Sequence, residues 1–307
     1  MASSPGDVTA GSHDQGGGSR PRAGTPSGAR PFRFANRLWG ALWRIGRAAL
    51  VAYLVVLVIL MFFEDSLIFI PSPYPEGDWQ PVGLRFEDVQ FSSADGTPLH
   101  GWYVPHEQAR GAVLFCHGNA GNITHRAEIL RRLHDVSRVT VFIFDYRGYG
   151  RSKGRPKEAG VLADARAARD WLSRREGAEP GRLILMGESI GGAVAVDLAA
   201  DQGARGLILE STFTSLRDLA AYHFPWFPVR QLMRTRLDSL AKIKSYRGPL
   251  LQSHGDCDTI VPYPFGQRLF DAANQPKQFV TFPGGDHNDL RDTGYYAKLG
   301  QFVAGLE

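Results

Sequence analysis

The apolar pattern of this chain changes character twice. From Ala48 to Phe63 the residues carry no charge and are almost all apolar, and Glu64-Asp65 ends the run. As a helix rising ~1.5 Å per residue, those residues span about 24 Å, somewhat short of a ~30 Å hydrocarbon core. Ile45 and Gly46 lengthen the run, Arg44 and Arg47 can snorkel, and Trp39 and Trp43 suit a membrane interface. The pattern therefore predicts a transmembrane helix over residues 45–65. A buried globular helix fits less well, because an all-round apolar helix has no face to show water. Phe62-Phe63-Glu64-Asp65 also lacks the small-x-small cleavage site of a signal peptide. Beyond about residue 80, short apolar runs alternate with stretches of helical spacing.

Residues 84–92 and 99–104 alternate apolar and polar positions, as antiparallel edge strands do. Continuous apolar runs at 112–116, 141–144, 182–186 and 207–209 read as buried parallel strands, with later strands at 249–255 and 278–282. Helical spacing appears over 122–135, 159–174, 265–273 and 295–302. This alternation predicts an α/β domain over 80–307, a mostly parallel central sheet with helices on both faces. Some 230 residues suffice for one core. An insertion at about 213–248 interrupts the alternation with Phe224, Trp226 and Phe227, then Arg230, Arg234 and Arg236.

Composition separates the N-terminus from the rest. Residues 1–30 hold seven Gly, five Ser and three Pro and too few apolar side chains to bury, so they are expected to be disordered. The disordered basic segment is placed at 1–44. Residues 1–47 carry seven Arg and two Asp, net +5, and the remainder carries 28 basic against 29 acidic side chains. The basic character thus belongs to the anchor, and a nucleic-acid partner has no support. Arginines on the amino side predict a cytoplasmic N-terminus and a catalytic domain on the far side. Cys116 and Cys257 are too few for a disulfide scaffold. No metal-ligand cluster, phosphate loop or dinucleotide fingerprint stands out, so neither metal nor cofactor is expected.

Candidate chemistry centres on Gly187-Glu188-Ser189-Ile190-Gly191. It follows a predicted strand and precedes a helix of small residues, the context of a nucleophile elbow. There a strained turn lifts a serine hydroxyl beside a helix N-terminus. A nucleophilic serine needs a base and an orienting acid, each in the loop after a later strand. His287 lies in the glycine-rich turn after the 278–282 strand, and Asp256 and Asp258 follow the 249–255 strand.

His254-Gly255-x-x-Asp258-x-x-Val261-Pro262 resembles the acid-bearing segment of α/β-hydrolases, particularly the serine aminopeptidase-like group. The resemblance covers about residues 91–302 and is closest to small membrane-anchored members, among them depalmitoylase-like enzymes. It implies that Asp258 rather than Asp256 is the acid. The segment 112–122, with His117-Gly118-Asn119, resembles the loop that builds the family's oxyanion hole. The N–H groups of Ile190 and Asn119 are then the expected donors, with Ala120 as the reserve for Asn119. His117 is expected to brace its loop, and Asp145 and Arg147 to hold theirs. In this family a cap starts where the insertion lies, so Phe224, Trp226 and Phe227 are expected to wall an acyl pocket or to pack the cap. The expected fold is an α/β-hydrolase with a small cap, preceded by one transmembrane helix. The expected activity is cleavage of a carboxylic ester, thioester or amide through Ser189, Asp258 and His287. The expected partners are the bilayer and an acyl-containing substrate. A catalytically silent, membrane-tethered binding module with the same fold is the alternative.

Overall fold

The computed structural model describes residues 31–289 and 291–306, with side chains from Arg37 onward. The disorder expected for 1–30 lies outside the described residues. By internal contacts the chain divides into two units, Met1–Leu54 and Val55–Glu307.

Helix α1 (Pro31–Phe62) contains the apolar run, and Arg37–Phe62 is long and apolar enough to cross a membrane. At ~1.5 Å per residue those 26 residues span about 39 Å, longer than a ~30 Å hydrocarbon core. Two boundaries differ from the expectation. Residues 31–44 are helical rather than part of a disordered arm, since Arg, Ala, Leu and Trp sustain a helix and no proline interrupts it. The helix also ends at Phe62, and Glu64-Asp65 open a separate short helix, α2 (Glu64–Ile68).

The second unit is built on an eight-stranded sheet in the order β1-β2-β4-β3-β5-β6-β7-β8. Its strands are β1 (Glu87–Ser92), β2 (Pro98–Val104), β3 (Ala112–Cys116), β4 (Thr140–Asp145), β5 (Ile184–Glu188), β6 (Gly206–Glu210), β7 (Leu250–Gly255) and β8 (Lys277–Phe282). The β1–β2 and β2–β4 pairs are antiparallel, and every later pair is parallel. Only β1 of the first two strands is an edge. β2 lies between β1 and β4 and is buried beyond Pro98, so its alternating sequence does not report a solvent face.

The continuous apolar runs reflect burial on both faces. Leu114, Phe142, Phe144, Leu185, Leu207 and Leu209 face one core layer. Val113, Phe115, Val141, Ile143, Ile184, Met186 and Ile208 face the other. Helices α4 (Glu158–Glu176), α5 (Ile190–Gln202) and α9 (Tyr263–Ala272) contribute to the first layer. Helices α3 (Ala127–Arg132) and α10 (Thr293–Ala304) contribute to the second. Helix α5 is buried from Ile190 to Ala199, which its Gly and Ala residues permit by letting it approach closely. The insertion after β6 forms three short helices, α6 (Leu216–His223), α7 (Val229–Leu232) and α8 (Ser239–Lys242).

Candidate active site

The loops that carry the candidate residues leave the carboxyl ends of β3, β5, β7 and β8, the side where open α/β sheets place their sites. Ser189 sits between β5 and α5 with φ 54° and ψ −117°, a conformation costly for a residue with a side chain. Its amide donates to Glu210 O at 2.8 Å. The flanking glycines are sterically required. A Cβ on Gly187 would lie 2.3 Å from Gly191 O, and one on Gly191 would lie 2.1 Å from Cys116 O and 2.5 Å from His117 O. The amino end of α5 therefore abuts the His117-Gly118-Asn119 loop, and Ile190 and Asn119 belong to these two adjoining elements. Ile190 opens α5, where amide N–H groups lack intrahelical acceptors.

Asp258 and His287 meet directly, with His287 Nδ1 2.7 Å from Asp258 Oδ2 and both residues buried. The other carboxylate oxygen accepts from the amides of Ile260 and Val261 at 2.9 and 2.7 Å. His254 Nε2 lies 3.2 Å from Asp258 Oδ2 and 2.7 Å from Val261 O. Burial works to raise the Asp258 carboxyl, but the hydrogen bonds from His254 and His287 outweigh it and hold it well below the usual carboxylate range. Asp256 is elsewhere. It is exposed, and its Oδ1 accepts from Gly284 N at 2.6 Å, stapling the β7 and β8 loops together. Two consecutive residues link the serine and histidine loops. Ser211 Oγ donates to His287 O at 3.2 Å, and Thr212 Oγ1 donates to Ser189 O at 2.8 Å.

Around this arrangement stand residues that the sequence did not single out. Arg291 Nη2 lies 2.7 Å from Glu188 Oε2, and its Nε donates to Glu210 Oε2 at 2.8 Å. Arg126 pairs with the other Glu188 oxygen at 3.2 Å. Burial alone would raise the Glu188 carboxyl, yet Arg291 and then Arg126 bring it down to about 2. The cluster fastens the residue before Ser189 to the end of β6 and to the segment after His287. Only the burial of an elbow glutamate could have hinted at it, and burial is not written in a single sequence.

Other expectations fall into place. His117 Nδ1 lies 2.7 Å from Gly118 O, and Tyr146 Oη donates to His117 O at 3.0 Å, so His117 braces its own loop. Burial, with the positive charge of Arg126, lowers the His117 pKa to about 4. Asp145 Oδ1 accepts from Ile123 N at 3.0 Å, and Arg147 pairs with Asp164 and Asp95, both in loop-holding roles. The Asn119 side chain is held by the last residue of α2 and by Tyr149. Its Nδ2 donates to Ile68 O, and its Oδ1 accepts from Tyr149 Oη at 2.9 Å.

The cap aromatics separate. Phe224 and Phe227 line an apolar cavity of about 420 Å³, but Trp226 is not in its lining and is 75% exposed. The expectation that all three wall one pocket is corrected for Trp226. The Phe227 amide bonds Phe224 O at 3.1 Å, closing a tight turn that sets Trp226 at its tip.

Comparison with known proteins agrees with this architecture. Residues 107–242 match the family model described as serine aminopeptidase, S33. An uncharacterized protein of Mycobacterium tuberculosis, Rv2307c, is 43% identical over 251 residues, covering 79% of this chain and 89% of that protein. The α/β-hydrolase domain-containing protein WAV2 of Arabidopsis thaliana is 35% identical, covering 75% of this chain and 83% of its own length. This chain belongs to the α/β-hydrolase family. The esterase Pf2001 of Pyrococcus furiosus superposes with a TM-score of 0.63 at 19% identity, covering 77% of this chain and 99% of the esterase. That likeness speaks for the fold alone. Within an α/β-hydrolase, the strained turn after β5 and the loops after β7 and β8 are where an acyl-transfer site is assembled.

Proposed function

We propose that this α/β-hydrolase is a membrane-anchored serine hydrolase that cleaves a carboxylic ester, thioester or amide through an acyl-enzyme. The observation that carries the reading is the 2.7 Å bond between His287 Nδ1 and Asp258, beside the loop that also holds strained Ser189. Ser189 Oγ attacks the carbonyl carbon while His287 Nε2 takes its proton. Asp258 fixes the imidazole tautomer and stabilises its charged form. The N–H groups of Ile190 and Asn119 hold the oxyanion. As the tetrahedral intermediate collapses, the bond to the leaving group breaks and His287 returns the proton to that group. Water, activated by His287, then attacks the acyl-serine and releases the acid. The chemistry uses only side chains, backbone amides and water.

The anchor is the Arg37–Phe62 segment of α1. Arg30, Arg33, Arg37, Arg44 and Arg47 favour a cytoplasmic N-terminus, with the catalytic domain on the non-cytoplasmic side. Hydrolysis of short p-nitrophenyl esters by the purified chain tests the reading. Ser189→Ala and His287→Ala each lose on the order of 10⁶ in kcat. Asp258→Asn is also severe, and Asp256→Asn is mild. Loss with Asp256→Asn and tolerance of Asp258→Asn would reverse the acid assignment.

A further inference from the structure

The apolar cavity beside the cap has an unusual wall. Leu57, Leu60 and Met61 of α1 line it, and Glu64, Leu67 and Ile68 of α2 continue the lining. Spacings of three and four residues put Leu57, Leu60 and Met61 on one face of α1, and Glu64, Leu67 and Ile68 on one face of α2. The opposite wall is the cap, with Phe227, Leu232 and Met233. Along the apolar run Leu57 and Leu60 are half-buried, and both line this cavity. Its volume, about 420 Å³, falls within the ~300–1,000 Å³ of small-molecule sites.

Two further observations define what it takes. The single charged side chain in the lining, Glu64, is already engaged. It accepts from Arg234 N at 3.0 Å and from Thr235 N at 2.7 Å, tying the cap to the start of α2 and leaving an apolar surface for a guest. At the far end Ile68, also in the lining, accepts through its carbonyl from Asn119, so one wall residue of the cavity is bonded to the loop proposed to hold the oxyanion. The near end belongs to the candidate membrane span, whose hydrocarbon surroundings are the source of apolar chains.

We infer that this cavity binds an acyl chain of a bilayer glycerolipid, drawn along the last turns of the membrane helix toward the site, so that the anchor forms part of the substrate pocket. This names the substrate class of the proposed hydrolase and rests on that reading for turnover, whereas chain binding can be read without it. The test uses the full chain in phosphatidylcholine vesicles doped with a phosphatidylcholine bearing a diazirine near the end of one acyl chain. After irradiation, adducts are mapped by peptide mass spectrometry. The expected adducts fall on Leu232 and Met233 of the cap as well as on Leu57–Met61, and they persist in Ser189→Ala. Leu60→Trp and Leu232→Trp, each checked for an unchanged melting profile, fill the space of roughly two methylenes. They lower the cap adducts about tenfold. Leu50→Trp, on the same helix but outside the lining, leaves the cap adducts in place. Adducts confined to α1, or cap adducts indifferent to both cavity-filling variants, overturn the inference. A protein that reacts with a fluorophosphonate yet shows no cap adducts contradicts this inference alone. Cap adducts without fluorophosphonate reaction uphold it and contradict only the hydrolase reading.

Discussion

Arg291→Met removes the cation that, among the described residues, bridges Glu188 and Glu210. The two carboxylates are 10% and 0% exposed, and the Arg291 side chain is 15% exposed, so little solvent replaces the lost partner. Breaking a buried ion pair by deleting one member costs about 3–5 kcal/mol, because the other charge stays buried. Glu188 keeps Arg126 at 3.2 Å, which places the expected loss near the lower end, about 3 kcal/mol. For a domain of this size, about 2–4 °C of melting temperature accompanies each kcal/mol, so the full chain in detergent is expected to melt about 6–12 °C lower. The mechanism also predicts a rescue. Glu210 Oε1 is buried without a hydrogen-bond partner among the described residues, so Glu210→Gln in the Arg291→Met background removes an unpaired charge and recovers a large part of the loss. Scanning fluorimetry on the four proteins of the cycle measures both effects. A melting point for Arg291→Met within about 2 °C of wild type, or no recovery in the double variant, would refute the cluster as a structural staple.

Three other outcomes are expected. Gly191→Ala places a methyl 2.1 Å from Cys116 O, against backbone that cannot swing aside. It should destabilise by about 1–3 kcal/mol and lower kcat on the order of 10²-fold through a displaced oxyanion donor; wild-type turnover would contradict that packing. His117 and Glu188 should contribute to the pH dependence of stability in separate windows. Between pH about 6.5 and about 4 the unfolded chain binds a proton that buried His117 refuses, so stability falls by about 3 kcal/mol on acidification through that window. From about 4.5 down to about 2, protonation of the unfolded Glu188 carboxyl removes the stability its ion pairs contribute. Melts at stepped pH read both windows, and His117→Asn should flatten only the upper one. A reporter fused after Glu307 should be active only on the non-cytoplasmic side, and cytoplasmic activity would contradict the charge argument.

Much of the fold was legible because both-face burial writes itself as continuous apolar runs, as at 112–116 and 182–186. Ser189 was legible because glycine is the only residue that fits at 187 and 191, leaving a motif in the chain. Asp258 could be preferred over Asp256 through a resemblance, and the structure places Asp258 against His287 and Asp256 in a loop staple. What stayed hidden depends on sheet order. Glu188, Glu210 and Arg291 meet because β5 and β6 pair and the segment after β8 folds back over them, a relation that no local spacing carries. The interior place of β2 was likewise concealed, since Pro98, His100 and Gly101 interrupt its apolar run as on an edge strand, whereas β1 and β4 flank it and His100 is buried. The start of α1 was missed because hydropathy marks the membrane-crossing part of a helix and not its polar extension. Trp226 was assigned by composition, and only the backbone turn at Phe224–Phe227 shows which aromatics face the cavity.

The central claim is that Ser189 is an activated nucleophile. Incubating the full chain in detergent with a fluorophosphonate and mapping the adduct by mass spectrometry tests it most directly. A single phosphonylated serine is expected at Ser189, formed fast in the wild type and lost when His287 is replaced by Ala. An unreacted Ser189 in folded protein, or equal reaction in His287→Ala, would contradict it.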